Sequence, residues 1–201
     1  MIVGMVGNLD PTKEDFREFL DRYHRNKLFL GIRYGNVWPT QDLVDAIQKP
    51  SVIDNMKVFA QTGLTLEVAN PRVNLIEATL RLSDKVPDLR IVLGHLQALP
   101  LPTDPGVMKS YSSNLKDLHQ RNVYVKVSGL AKSNPKEMMD FIWDIYGEDR
   151  IVYAGRNKAS LEFLKNYTMA KGRPAAEKFF WKNSISAFNW IKRDPKQPQL
   201  S

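Results

Sequence analysis

The sequence contains no cysteine and few histidines, which stand at positions 24, 95 and 119. Without thiols the chain has no disulfide, no cysteine nucleophile, no zinc–thiolate site and no iron–sulfur cluster. Three histidines spread over the chain also make a histidine-rich metal centre difficult to assemble. The lack of cysteine is compatible with the cytoplasm, but it does not identify a location.

Long apolar runs and nucleotide-binding glycine motifs are absent too. The apolar stretch 91–101 is interrupted by His95, Gln97 and Pro100, so no membrane-spanning helix is predicted. Neither GxGxxG nor GxxxxGK[ST] follows a predicted strand, which gives no support to nucleotide binding. With 43% hydrophobic and 25% charged residues, the composition is typical of a soluble globular protein.

Positive charge is concentrated in the last part of the chain. The net charge of the chain is +7. Residues 156–201 hold ten Lys and Arg against three Asp and Glu, so residues 1–155 have no net charge. Such charge predicts either a solvated basic helix face, which the interspersed pattern favours, or a surface that contacts an acidic protein partner or RNA.

Short runs rich in Val, Ile and Leu alternate with amphipathic stretches. The predicted strands, read as buried on both faces, are 2–7, 28–34, 64–70, 90–95, 123–128 and 151–155. The first predicted helix begins at Thr12, which is its N-cap. The next predicted helices cover residues 41–48, 51–62, 74–86, 107–120 and 135–146. This alternation predicts an α/β fold with a parallel sheet, either open and doubly wound or part of a (β/α)₈ barrel.

Aromatic residues are concentrated in a last predicted helix, 177–190. Its Trp181, Ile185 and Phe188 share one helix face, which favours packing of that face against the core over stacking of single-stranded nucleic acid. We expect one domain over residues 1–192 and a frayed tail over 193–201, which contains two prolines.

Polar side chains stand at the predicted carboxyl ends of the strands, where parallel α/β proteins bind ligands. They are Arg33, Tyr34, Glu67, Asn70, His95, Lys126, Ser128, Arg156 and Asn157. Arg33 suits a carboxylate, and a buried Lys126 must be paired or neutral. His95 alone could be a metal ligand, a general base or a hydrogen-bonded core residue. Convergence of these residues at one rim favours a pocket.

Several motifs then resemble one family. They are VGNLDP at 6–11, FLGIRY at 29–34, ANP at 69–71, PDLRIVLGHL at 87–96, VYVKVSG at 123–129 and GEDRIVY at 147–153. The fourth and fifth are similar to "PDLRIVIDHL" and "VYVKLSG" in the amidohydrolase-related (amidohydrolase 2 type) family. Its members are metal-dependent TIM-barrel hydrolases and decarboxylases, including lactonases of dicarboxylates. The resemblance runs from about residue 3 to residue 190 and implies the TIM-barrel fold.

The chain also departs from that family. It has no His-x-His strand, and its six strands are similar to the last six of the family's eight. Asn70 stands at a family histidine position, and Asn157, after Arg156, stands at a family aspartate position. Only His95 remains of the zinc or manganese ligands, so we expect neither a complete metal site nor a metal cofactor. The asparagine amide cannot act as a general base.

The missing strands carry a consequence for assembly. An incomplete barrel of about six βα units, shortened at its N-terminus, would leave two unpaired edges. We therefore expect a homo-oligomer or a hetero-complex that covers them, unless the chain is a fragment of a longer protein.

The resemblance leaves two functions open. One is a hydrolase of a small carboxylated ester, lactone or amide. Its catalytic residues would be His95, Glu67 and Lys126, and its substrate-binding residues would be Arg33, Tyr34, Asn70, Ser128, Arg156 and Asn157. The other is a catalytically inactive subunit with a structural or interaction role in a larger complex. In that case the basic C-terminal region would contact an acidic partner or RNA.

Overall fold

A computed structural model describes residues 4–35, 41–130, 134–155 and 158–190. The strands are β1 Met5–Asn8, β2 Phe29–Arg33, β3 Thr65–Ala69, β4 Arg90–Gly94, β5 Val123–Val127 and β6 Ile151–Tyr153. The α-helices are α1 Phe16–His24, α2 Leu43–Ala46, α3 Pro50–Gln61, α4 Val73–Lys85, α5 Pro105–His119, α6 Pro135–Tyr146, α7 Lys158–Ala170, α8 Arg173–Glu177 and α9 Asn183–Ala187. A 3₁₀-helix, Leu96–Ala98, follows β4, and a π-helix, Lys178–Lys182, joins α8 to α9.

The six strands are parallel and pair in the order of the sequence, from β1 to β6. Helices connect consecutive strands, which is the arrangement of a (β/α) barrel. The prediction of a parallel α/β fold with about six units is confirmed. Within the described sheet, β1 and β6 form the two edges.

The main apolar core lies between the outer face of the sheet and the surrounding helices. Leu66 and Val68 of β3 alternate with residues of the opposite face, and both are fully buried. They belong to one continuous apolar cluster with helix residues such as Ile76, Leu115 and Ile142. Each such buried side chain contributes about 1.5–3 kcal/mol relative to an exposed one.

The inner face of the sheet, defined by alternation, carries Thr65, Glu67, Val92, Gly94, Tyr124, Lys126 and Val152. At its amino end, Val92, Tyr124 and Val152 form a separate apolar cluster with Ala187 of α9. The Thr65 hydroxyl donates to the Ala187 carbonyl at 2.9 Å. The C-terminal segment, residues 183–190, therefore covers this end of the inner face.

The last predicted helix is not one regular α-helix, and its predicted face packs against the core only in part. Residues 177–190 are broken by the π-helix, and Trp181, Ile185 and Phe188 are only half-buried. The buried side chains of this region include Ala176, Phe179, Asn183 and Ala187, while Phe188 packs partly buried against the cluster of Val92, Tyr124 and Val152. A π-helix adds a residue to the turn and so rotates the following helix face. Asn183 also donates to the Ile151 carbonyl at 2.8 Å, a contact that an aromatic ring could not replace.

Helix starts differ from prediction where local turns intervene. The helix expected at Thr12 begins at Phe16, because the Asp10 carboxylate accepts from the Thr12 amide at 2.9 Å and from its hydroxyl at 2.7 Å. These bonds hold a turn instead of a helix cap. Pro50 does open α3, as expected for a residue without a backbone donor.

Strand β1 departs from the predicted double burial. Its Met5 is 44% exposed, and its other residues are half-buried or exposed. The reason is its place at an edge, where only one neighbouring strand covers it. The other strands begin and end within one or two residues of the predicted positions.

Some predictions fall on residues that the structure does not describe. Arg156, Asn157 and the tail 193–201 lie outside the described residues. The single domain over 1–192 stays a prediction. In the described ranges, no helix is both long and apolar enough to cross a membrane.

Candidate active site

A buried carboxylate with two cations lies at the carboxyl end of the inner face. The Glu67 side chain is 1% exposed, and its Oε1 atom accepts from Arg33 Nη2 at 2.7 Å and from Lys126 Nζ at 2.6 Å. Parallel register places Arg33 beside Glu67, while alternation along β5 turns Lys126 to the same face. We call these three residues the ion cluster.

The ion cluster carries a formal charge of +1. Burial lowers the pKa of the Lys126 ammonium, attraction and a hydrogen bond to Glu67 raise it, and the charge of Arg33 lowers it further, leaving the pKa below its usual value. The Arg33 side chain is 35% exposed, and its buried Nε has no hydrogen-bond acceptor within the described ranges. The cluster therefore suits an additional anion.

Gly94 makes the space that Glu67 occupies. A Cβ at position 94 would lie 3.0 Å from Glu67 Oε1 and 3.5 Å from its Cδ. The similar family motif has aspartate here, and such a side chain would bring a second negative charge against Glu67. The glycine and the ion cluster thus form one structural unit.

His95 and Ser128 lie beside the ion cluster, one residue after β4 and β5. His95 Nδ1 and Ser128 Oγ are hydrogen-bonded, and the Ser128 residue is 4% exposed. The His95 amide donates to the Lys126 carbonyl at 3.3 Å, which extends the strand pairing. His95 has φ 67°, in the left-handed region, where a residue with a Cβ pays about 1–2 kcal/mol. Its backbone conformation is thus set by its surroundings, as is common at functional sites.

The structure brings five of the nine candidate residues together: Arg33, Glu67, His95, Lys126 and Ser128. Asn70 directly follows β3 and has φ 49°. Its backbone N–H donates to the Gly94 carbonyl at 2.8 Å. Tyr34 is placed elsewhere, because its side chain is 1% exposed within the outer apolar core. Burial raises the pKa of Tyr34 well above its usual value.

Sequence reasoning missed Gln97 and Gly94. Gln97 is 2% exposed, and its side-chain amide lies 3.3 Å from Ser128 Oγ. The available signal was an amide two residues after His95 within an otherwise apolar stretch. Nothing in the sequence alone links Gly94 to Glu67, because the two residues lie on different strands, β4 and β3, and meet only when these strands pair.

The described side chains do not fit a catalytic zinc ion. Among the described residues no group of three His, Cys, Asp or Glu could hold a metal ion. Glu67 Oε1 already accepts from two cations, and His95 Nδ1 is engaged by Ser128. Zinc needs three protein ligands even at an open site, so no catalytic step is assigned to a metal here.

Solved structures share this fold at low sequence identity. An amidohydrolase from Burkholderia multivorans with bound HEPES superimposes with a TM-score of 0.77 at 11% identity, over 94% of this chain and 74% of that one. A probable 2-pyrone-4,6-dicarboxylic acid hydrolase from Acinetobacter baumannii with bound citric acid gives 0.71 at 13% identity, over 92% and 73%. Amidohydrolase 2 from Bifidobacterium longum subsp. infantis gives 0.56 at 18% identity, over 94% and 81%.

These likenesses establish the fold as an amidohydrolase-type TIM barrel that is incomplete in this chain. No curated protein matches the chain. The family model for amidohydrolases, Amidohydro_2, matches residues 1–155, which include the ion cluster, His95 and Ser128. The chain therefore belongs to the amidohydrolase family.

Proposed function

We propose that this protein hydrolyses a small carboxylated ester, lactone or amide without a complete metal site. The observation that carries the proposal is the ion cluster, in which two cations share one buried carboxylate oxygen next to a histidine–serine pair. Arg33 binds the substrate carboxylate, because a guanidinium can donate bidentate hydrogen bonds to the two carboxylate oxygens. Glu67 acts as the counter-ion that holds both cations in place.

His95 acts as the acid–base catalyst. It accepts a proton from a water molecule whose oxygen attacks the acyl carbon. The tetrahedral intermediate then collapses, the acyl C–O or C–N bond breaks, and the proton is returned to the leaving oxygen or nitrogen. Lys126 orients the substrate and faces the negative charge that develops on the acyl oxygen. Every group needed is on the inner face or directly after its strands.

Two structural neighbours agree with an anionic substrate. One is a probable 2-pyrone-4,6-dicarboxylic acid hydrolase with citric acid bound, and another is a putative hydrolase of the same compound from Pseudomonas putida. The first name describes an ester of the lactone type that carries carboxylates, and citric acid carries three. The positive ion cluster of this chain supports the same substrate class.

Matched substrates test the proposal. Monomethyl succinate and methyl butyrate differ in one carboxylate, and so do a γ-lactone and its carboxylated counterpart. With a chelator present, we expect proton release in a pH-stat to give a kcat/KM roughly 10- to 100-fold higher for each carboxylated compound, as expected for a charge-assisted hydrogen bond. Absence of both hydrolysis and carboxylate binding across the set would refute the proposal.

Two variants separate binding from chemistry. Arg33→Met is expected to raise KM for carboxylated substrates and to leave the neutral esters unchanged. His95→Asn is expected to lower kcat by about 10²- to 10⁴-fold, the usual contribution of a general base. Arg81→Met and His24→Asn, both on exposed helix surfaces, serve as matched controls. Equal losses in these controls would contradict the assigned roles.

A second proposal concerns assembly and follows from the edge of the sheet. Strand β1 exposes Met5 at that edge, so a partner strand from a second copy or another protein could pair with it. This arrangement would also suit the alternative function, a catalytically inactive subunit. Light scattering should show a mass above that of the monomer, and a strictly monomeric mass at high concentration would contradict it.

Contact of the basic region with RNA or an acidic protein stays a prediction. In that region Arg173 and Lys182 pair with Glu177, and Lys178 pairs with Glu148 and Asp149. These pairs reduce the charge available to an acidic partner. Salt-dependent RNA binding would be required to support the prediction.

A further inference from the structure

The orientation of the buried Gln97 amide is fixed by its neighbours. One of its terminal atoms faces the backbone amides of Ser128 at 2.9 Å and Gly129 at 3.3 Å. A backbone N–H can only donate, so this atom is the carbonyl oxygen, Oε1. The same amide end lies 3.3 Å from Ser128 Oγ.

That orientation determines where the Ser128 proton lies. A carbonyl oxygen can only accept, so at this contact the Ser128 hydroxyl must donate to Gln97. A hydroxyl has one proton, and Ser128 Oγ must then accept in its hydrogen bond with His95 Nδ1. The proton of that bond therefore sits on Nδ1. In a neutral imidazole with Nδ1–H, the lone pair is on Nε2.

We propose that Gln97 is a positioning residue that, through the Ser128 hydroxyl, holds His95 in the neutral Nδ1–H tautomer. The tautomer assignment rests on the hydrogen bonds alone, while its catalytic meaning rests on the proposed function. A general base needs its lone pair at the nitrogen that takes the proton, and Gln97 assigns this task to Nε2. Gln97 never needs to touch the substrate.

The hydrogen bonds that link Gln97 to Ser128 and Ser128 to His95 are held in place by burial. Gln97 is 2% exposed within the 3₁₀-helix Leu96–Ala98, and Ser128 is 4% exposed. Buried polar atoms hold their partners, because a broken hydrogen bond leaves an unsatisfied group away from water. The left-handed backbone of His95, with φ 67°, directs the chain into this helix and brings Gln97 back over the end of β5.

Nitrogen-15 NMR of the full chain with ¹⁵N-labelled histidine tests the proposal. Above about pH 8, where imidazoles are neutral, long-range ¹H–¹⁵N correlations distinguish the two tautomers. The wild-type protein should show His95 with the Nδ1–H form in at least about fivefold excess, the ratio that one hydrogen bond sustains. Dominance of Nε2–H, or an imidazolium that persists at this pH, would overturn it.

Variants test whether Gln97 is the cause. Gln97→Met keeps the side-chain length and removes the acceptor, so the excess of Nδ1–H should be lost. Ser128→Ala should give the same result, and Gln97→Glu, which keeps an oxygen, should retain the wild-type pattern. Gln48→Met, at an exposed glutamine whose side-chain amide donates to the Val44 carbonyl, is the control. An unchanged His95 spectrum in a folded Gln97→Met protein contradicts the proposal.

The two proposals fail in different ways. The spectrum reports the tautomer whether or not the protein turns over any substrate, so an inactive protein with Nδ1–H at His95 refutes only the hydrolase. If the protein is active, Gln97→Met should lower kcat at least fivefold with little change in KM. His24 and His119, at the ends of α1 and α5, provide internal reference signals in every spectrum.

Discussion

The two ends of the inner face differ in chemistry although the same strands build both. At the amino end, Val92, Tyr124 and Val152 meet Ala187 in an apolar cluster covered by the C-terminal segment. At the carboxyl end, Glu67 and Lys126 occupy the next inward-facing positions of β3 and β5 and form the ion cluster with Arg33.

The comparison shows how one sheet separates stability from chemistry. Apolar side chains at the amino end pack against one another and against Ala187. Charged side chains at the carboxyl end are partly desolvated and are held by one another, which costs stability but creates a positive site. In parallel (β/α) barrels, functional residues lie at the carboxyl ends of the strands, where the βα loops meet.

Removal of the carboxylate from the ion cluster should have the largest effect. Glu67→Ala leaves Lys126 and Arg33 without their counter-charge, and we expect the free energy of unfolding to fall by about 3–5 kcal/mol. Urea denaturation measures this loss. Glu77→Gln, which breaks an exposed pair with Arg81, should change stability by about 0.5 kcal/mol or less and is the matched control. Equal effects at the two sites would contradict the buried cluster.

A cavity at the amino end should reduce stability without affecting the site. Val92→Ala removes two methyl groups from a fully buried position, and we expect a loss of about 2–3 kcal/mol. Catalytic activity and carboxylate binding per folded molecule should be unchanged. A loss of binding in the folded fraction would show that the two ends are not separable.

A side chain at Gly94 should disturb the ion cluster specifically. Gly94→Ala forces a Cβ to within 3.0 Å of Glu67 Oε1, and we expect a cost of about 1–3 kcal/mol. In a Glu67→Ala background the atoms in contact are gone, so the cost should largely disappear. A double-mutant cycle measures this coupling, and strictly additive effects would rule out the contact.

The smallest effect is expected from loss of the hydrogen bond between Thr65 and the C-terminal segment. Thr65→Val removes the 2.9 Å bond to the Ala187 carbonyl while keeping the shape of the side chain, and should cost about 1 kcal/mol. Hydrogen exchange should increase first in the segment around Ala187. An unchanged exchange pattern would mean that apolar packing alone holds this segment.

The fold was predictable because its signal is local. Apolar runs with helical stretches between them specify parallel β/α units, and β2 to β6 begin and end within a residue or two of their predicted positions. Arg33, Lys126 and His95 were identifiable as polar residues at the ends of apolar strands. Tyr34 had the same sequence signal, yet its side chain packs into the outer core. Arg33 faces inward beside Glu67, so alternation turns the next residue, Tyr34, to the outer face; a polar residue near a strand end therefore reaches the site only if it has the right parity.

By itself, the sequence determined the order of the elements, the parallel sheet, the absence of thiol chemistry and the rim on which polar side chains collect. Only the tertiary structure decided that Arg33 and Lys126 share one oxygen of Glu67, that Gly94 leaves room for that oxygen, and that Gln97 orders the Ser128 hydroxyl. The reason is physical. Periodicity follows from neighbours along the chain. A hydrogen bond, in contrast, requires the donor–acceptor distance to be correct to a few tenths of an ångström, here between residues that are 31 to 59 positions apart.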